Sequence, residues 1–188
     1  MTENGRKAVH LLALLVPIVS ELTSKFLVLA ALSIITIVYV LQEVLRLKGH
    51  RMPFITSFTL KMSRQEERTG FIVRPAFFAI GIILTLVLYP TAIAYASVCI
   101  GAIGDSIAAI VGGRFGRRRI VRRKTVEGFA AGLAAAALLA SLFVAPLIAL
   151  LGAVAAMIME LIDVPDDNLT MPIVAGALMT LATLAYPA

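Results

Sequence analysis

Apolar stretches long enough to cross a lipid bilayer follow one another almost without pause, and this recurrence constrains the chain more than any other feature. A hydrocarbon core about 30 Å thick calls for about 17–25 apolar residues in helical form. Inside it, each segment must pair its own backbone N–H and C=O groups, so such runs fold as helices. About seven spans can be drawn: Ala8–Leu22, Phe26–Leu47, Val73–Tyr89, Thr91–Val111, Glu127–Ala145, Leu147–Ile162 and Leu169–Tyr186. Composition agrees, with 60% hydrophobic and only 15% charged residues, where a soluble domain carries roughly 25% charged. The expectation is an all-α integral membrane protein, a single bundle forming one catalytic-sized domain over residues 1–188.

Arg6 and Lys7 ahead of Ala8–Val19 have the look of a secretory leader, but no small-residue cleavage site follows and a new apolar run begins at Phe26. The segment is therefore read as a helix, short and interrupted by Pro17. Cys99 is the only cysteine, which excludes an internal disulfide. Tyr89-Pro90 and Ala145-Pro146 read as tight breaks between antiparallel helices. Sidedness follows from the cations. Arg6 and Lys7, the group from Arg46 to Arg74, and the group from Arg114 to Lys124 fall on one side of an alternating topology, with Lys25 alone opposite. The positive-inside tendency makes that side cytoplasmic, with the N-terminus in and the C-terminus out. Met52–Met62 reads as a short amphipathic helix in the interface. Gly128, Gly132, Ala136 and Ala140 share one face of the fifth span, the small-residue stripe of a close helix contact.

Three clusters could carry chemistry. Asp105 stands inside the fourth span, where a carboxylate costs about 2.5–3.5 kcal/mol on insertion scales. It must face a wet cavity, an ion or a partner, or else make a structural polar contact between helices. The second cluster runs Gly112-Gly113-Arg114-Phe115-Gly116-Arg117-Arg118-Arg119 and on through Arg122, Arg123, Lys124, Thr125 and Glu127. Glycine amides and clustered cations suit an anion. The same loop could merely enforce topology or touch anionic headgroups, and Thr125 with Glu127 could be a plain helix start. No GxxxxGK[ST] occurs, so it is not a Walker A loop. Third, Glu160, Asp163, Asp166, Asp167 and Asn168 form the one acidic concentration, on the basic side. Asp-Asp-Asn-Leu-Thr before an apolar run is also a good helix N-terminus. Oxygen ligands beside a polybasic loop are what magnesium and a nucleoside triphosphate need together.

The order of these elements resembles the CTP-dependent lipid kinases, a family that includes dolichol kinase, phytol kinase and the CTP-using diacylglycerol kinase. The resemblance rests on Gly104-Asp105-Ser106, on Gly112 and Gly116, on Lys124-Thr125-Val126-Glu127-Gly128, and on Glu160 with Asp166-Asp167-Asn168-Leu169-Thr170. Arg6-Lys7 with His10, and Arg64 with Glu66-Glu67-Arg68, look like that family's N-terminal half. It implies a membrane-embedded enzyme that uses CTP and Mg2+ to phosphorylate a lipid alcohol of dolichol or polyprenol type. The site would face the cytoplasm at a plasma-membrane or ER-type bilayer. The expected partners are CTP, the lipid alcohol and membrane lipids, with no nucleic acid.

On that reading Arg114, Arg123 and Lys124, the amides of Gly112, Gly113 and Gly116, and Thr125 hold the phosphates. Asp105 ligates the metal with help from Glu127, Asn168 or Glu160, and Asp167 or Asp166 orients or deprotonates the alcohol. CDP-lipid synthases also carry a Gly-Asp-Ser element, but their closing Gly-His-Gly-Gly…Asp-Arg-x-Asp signature is missing here. A small transporter with a carboxylate pathway is the non-enzymatic alternative.

Overall fold

The computed structural model describes residues 10–50, 56–57, 59–60, 63, 69–121, 124–162 and 166–186. Among these, seven α-helices follow a 3₁₀ turn at Leu12–Leu14: α1 (Leu15–Leu22), α2 (Lys25–Leu47), α3 (Arg74–Leu88), α4 (Thr91–Phe115), α5 (Val126–Ala140), α6 (Pro146–Leu161) and α7 (Asp167–Ala185). A two-stranded antiparallel hairpin, β1 (Arg119–Val121) and β2 (Lys124–Thr125), links α4 to α5.

The breaks lie where proline puts them. Tyr89 is extended and α4 starts directly after Pro90, while Ala145 is extended and Pro146 opens α6. Proline cannot donate to the preceding turn and disfavours helical geometry in the residue before it.

Three helices, α2, α4 and α7, are long and apolar enough to cross a membrane. Within the first span the helical segment Leu12–Leu22, and helices α3, α5 and α6, are shorter than that. At 1.5 Å per residue, 15 residues reach only about 22 Å. The seven drawn spans thus become seven helices of unequal reach. Of the expected interfacial helix, the described residues Thr56, Ser57, Thr59 and Leu60 are helical; the rest of it, together with Arg6, Lys7, Arg64, Glu66, Glu67, Arg68, Arg122, Arg123 and Asp163, lies outside the described residues.

Helix α4 is the axis of the bundle. It packs most extensively on α5 and also touches α3, α6, α7 and the Leu12–Leu14 turn. The α4–α5 seam is close because both faces are small. The buried residues of α5 are Gly128, Gly132, Ala136 and Ala140, the stripe read from the sequence. A Cβ on Gly132 would stand 2.6 Å from the Gly104 carbonyl, and one on Gly128 would stand 2.5 Å from that of Ala108. Only glycine allows this approach. On the outside, α2 presents Phe26, Ile34, Ile35, Ile37 and Leu41, an apolar face that suits lipid rather than water.

At the far end of α2 a polar network ties it to the segment leading into α3. Glu43, fully buried, pairs with Arg46 at 2.9 Å and accepts from Ile72 N at 3.1 Å. Tyr39 donates to the Ile72 carbonyl. Lys25, the one cation on the opposite side of the expected topology, donates to the Tyr89 carbonyl at the α3–α4 turn. Its charge therefore has a local partner.

Candidate functional site

The candidate site is organised by the start of α7, which lies deep in the bundle. A Cβ on Gly81, midway along α3, would lie 2.7 Å from the Asn168 carbonyl, so the first turn of α7 abuts the middle of α3. The start of α3 at Arg74 stands seven residues further out, about 10 Å along the helix. Pro172 has no N–H to offer four residues back, so the Asn168 carbonyl receives no bond from it.

Asp105 sits at nearly the same depth. Gly101 lies against Pro172 and Gly104 near Met171, so α4 and α7 run antiparallel there. One turn onward along α4, Asp105, then matches one turn back along α7, Asn168, to within about a helical turn. Asp105 is 9% exposed, and its Oδ2 stands 3.3 Å from His10 Nδ1. Neighbouring Ser106 is wholly buried, with a hydroxyl that has no hydrogen-bond partner among the described residues.

The acidic helix start divides into two roles. Asp166, buried, is the N-cap of α7, and its side chain accepts from Asn168 N at 2.9 Å. That is a helix-capping contact. Asp167, one residue on, is about one third exposed and reaches toward Lys124, 3.7 Å away. Lys124 Nζ also contacts Glu160 Oε1 at 2.5 Å, and the Glu160 carboxylate is almost completely buried. The basic loop and the acidic helix start thus meet at Lys124.

The glycines of the basic loop are not where the sequence reading put them. Helix α4 runs four residues past its expected end at Val111, so Gly112 and Gly113 are helical, with amides inside the hydrogen-bond ladder rather than facing an anion. Gly112 instead serves packing: a Cβ there would meet Thr125 Oγ1 at 2.9 Å. Gly116 N donates to the Gly112 carbonyl as the helix closes, and Thr125 packs against Gly116. Thr125 caps α5 by accepting from Gly128 N at 3.2 Å.

Glu127 accepts from the backbone N–H groups of Arg117 and Arg118 at 3.0 and 3.3 Å, tying down the loop that follows α4. An open depression of about 460 Å³ lies here, lined by Arg114, Phe115, Gly116, Arg117 and Glu127. Measured along α4 from Asp105, this rim is nine or more residues away, about 13 Å. Glu127 therefore belongs to the rim, and Asn168 is the expected helper at the depth of Asp105.

Among the described residues, no three His, Cys, Asp or Glu side chains gather closely enough to hold a metal ion by themselves. Two contacts here went unforeseen in the sequence: the Lys124–Glu160 pair and the approach of His10 to Asp105. Each joins residues far apart in the chain, and the only local signal was that the ionisable groups sat in or beside apolar runs. Comparison with family models, with curated proteins and with solved structures finds no match to this chain.

Proposed function

We propose that the chain is a CTP-dependent kinase of a membrane isoprenoid alcohol, working in a recess open to the cytoplasmic side of a seven-helix bundle with its N-terminus in the cytoplasm. The observation that carries this reading is the meeting of the two charged clusters at Lys124, above a buried carboxylate at the level of Asn168. Phosphoryl transfer asks mainly for positioning and for neutralised charge. The open depression beside Arg114 and Arg117 would take the nucleotide's anionic end. An ammonium has three donors, so Lys124 can keep Glu160 and still reach a phosphate.

Mg2+ fits this donor set as an ion carried by the nucleotide, because such ions take one or two protein carboxylates and otherwise phosphate and water. Asp105 and Asn168 are the oxygens that would hold it, and the ion would neutralise triphosphate charge. Asp167, more exposed than the capping Asp166, is the better group to orient or deprotonate the alcohol. The hydroxyl would enter the recess while its tail stays in lipid.

The test is purified protein in detergent with CTP labelled at the α or the γ phosphate and a panel of lipid alcohols. The kinase reading expects γ label in the lipid and release of CDP. Label from the α phosphate in the lipid would make the chain a cytidylyltransferase, and no CTP turnover with any lipid would favour a transporter. Topology is tested in a Cys99→Ala background. Arg119→Cys should label from the cytoplasmic side and Thr23→Cys from the other, and labelling from one side only would overturn the arrangement.

A further inference from the structure

His10 is the one imidazole inside the bundle, and nothing in the kinase scheme uses it. It lies two residues ahead of the Leu12–Leu14 turn, which packs on α4. Its side chain is 18% exposed, and its ring stacks on Phe78 of α3 with centroids 4.6 Å apart and planes 10° from parallel. Nδ1 is buried, makes no hydrogen bond among the described residues, and stands 3.3 Å from Asp105 Oδ2. The ring is therefore held by a helix on one side and faces a carboxylate on the other.

The distance separates this pair from the structural ion pair on α2. Arg46 and Glu43 meet at 2.9 Å through two guanidinium nitrogens, the length of a charge-assisted hydrogen bond. His10 approaches a single oxygen of Asp105 and stops short of that length. Contacts that serve a site are often long before substrate binds and tighten afterwards. Carboxylates that hold metals are themselves oriented by hydrogen bonds from the layer behind them.

We propose that His10 is a positioning residue for Asp105, holding through Nδ1 the carboxylate that the kinase reading gives to the nucleotide's metal. The purpose rests on that reading, whereas the contact stands on geometry alone. The N-terminal segment thereby becomes part of the site, and Phe78 fixes the ring plane.

The contact can be read without activity. The chain has two histidines, His10 and His50, so a His50→Gln protein with ¹⁵N-labelled histidine carries one imidazole reporter. Its Nδ1 resonance should move when Asp105→Asn is added; an unmoved resonance in folded protein would overturn the proposal. Purpose is read from variants that keep or lose a donor at the Nδ1 position. His10→Asn places an amide N–H there and should retain turnover within about tenfold, while His10→Ala and His10→Gln should lose about 10–100-fold. In the latter two the magnesium needed for half-maximal rate should rise and the KM for the lipid should not. Equal losses in all three, with the magnesium dependence unchanged, would reduce His10 to packing against Phe78. Should the protein turn over no CTP, the kinase reading falls by itself, and Mn2+ binding followed by electron paramagnetic resonance replaces the rate. His10→Ala should then weaken Mn2+ binding about tenfold in the presence of CTP, and unchanged binding would overturn the positioning role.

Discussion

Helices α2 and α4 are close in length and hydropathy, yet one is largely exposed and the other largely enclosed. They span 23 and 25 residues; over their most apolar 18-residue stretches the mean hydropathies are 2.2 and 1.7, but 17% of the first stretch and 67% of the second is buried inside the protein. The difference lies in side-chain size. Outward positions of α2 carry Phe26, Leu27, Ile34, Ile35 and Ile37. The contact face of α4 carries Gly101, Gly104, Ala108 and Gly112, each close to a neighbouring helix. In a membrane no hydrophobic force drives helices together, so close backbone approach through small residues does that work. The same enclosure lets α4 keep Asp105 and Ser106, groups that would be costly on the lipid face of α2.

The largest effect expected from this contrast is on α4. Asp105→Asn keeps the size of the side chain and removes its charge. Turnover of CTP should fall by about 10²–10³-fold, the scale of losing one preorganised electrostatic group, and added magnesium should restore it only in part. A near-wild-type rate in folded, inserted protein would make Asp105 a structural contact of a buried helix. The metal would then have to be sought at Asp167.

Next comes the seam itself. Gly132→Leu places a side chain where even a Cβ would be 2.6 Å from the Gly104 carbonyl. Overpacking costs about 1–3 kcal/mol where side chains can shift, and here the obstacle is backbone, so the upper end or beyond is expected. Ala31→Leu, the same kind of enlargement on the exposed face of α2, should be neutral. Unfolding in graded SDS measures both, and equal costs would dissolve the distinction between the two helices.

The seam also shows what was legible in the sequence. The stripe Gly128-Gly132-Ala136-Ala140 could be read because helical period and residue size are local properties, and so could the proline breaks and the buried position of Asp105. Gly112 and Gly113 read as loop in the sequence because glycine signals both a turn and a close helix contact, and only the partner helix decides which. The hairpin β1–β2 was hidden inside a charge run with no strand-like alternation. The site was legible as three clusters and not as pairs: no local pattern says that Lys124 meets Glu160, or that an early histidine returns to Asp105.

A smaller effect is expected at that pair. Lys124→Ala removes the ammonium and leaves the buried Glu160 carboxylate without it, at a cost of about 2 kcal/mol in stability. The apparent KM for CTP should rise several-fold, and more at high salt, because a point charge on phosphate is screened. Adding Glu160→Gln should return the stability and leave the KM raised. If KM and stability both recovered, Lys124 would be a tie between β2 and α6 and no part of a phosphate grip. Arg118→Ala, by contrast, should change little, since Glu127 engages Arg118 through its backbone N–H.

The smallest effect belongs to the lipid face of α2, and its smallness is the informative part. Ile35 is 62% exposed on this helix. In water, uncovering or trimming such a side chain would change the transfer free energy by about 0.8 kcal/mol for each methylene. In a bilayer the acyl chains surround Ile35 both in the folded bundle and when the helices have separated, so the transfer term cancels. Ile35→Ala should therefore shift stability in SDS by less than about 0.5 kcal/mol, even though the same truncation at a packed position costs about 2–5 kcal/mol. Met157, wholly buried between α4 and α5, provides that packed reference as Met157→Ala. A loss above about 1 kcal/mol for Ile35→Ala would mean that protein rather than lipid covers α2. A second copy of the chain would then be the first candidate, and cross-linking through Ile35→Cys in a Cys99→Ala background would identify it.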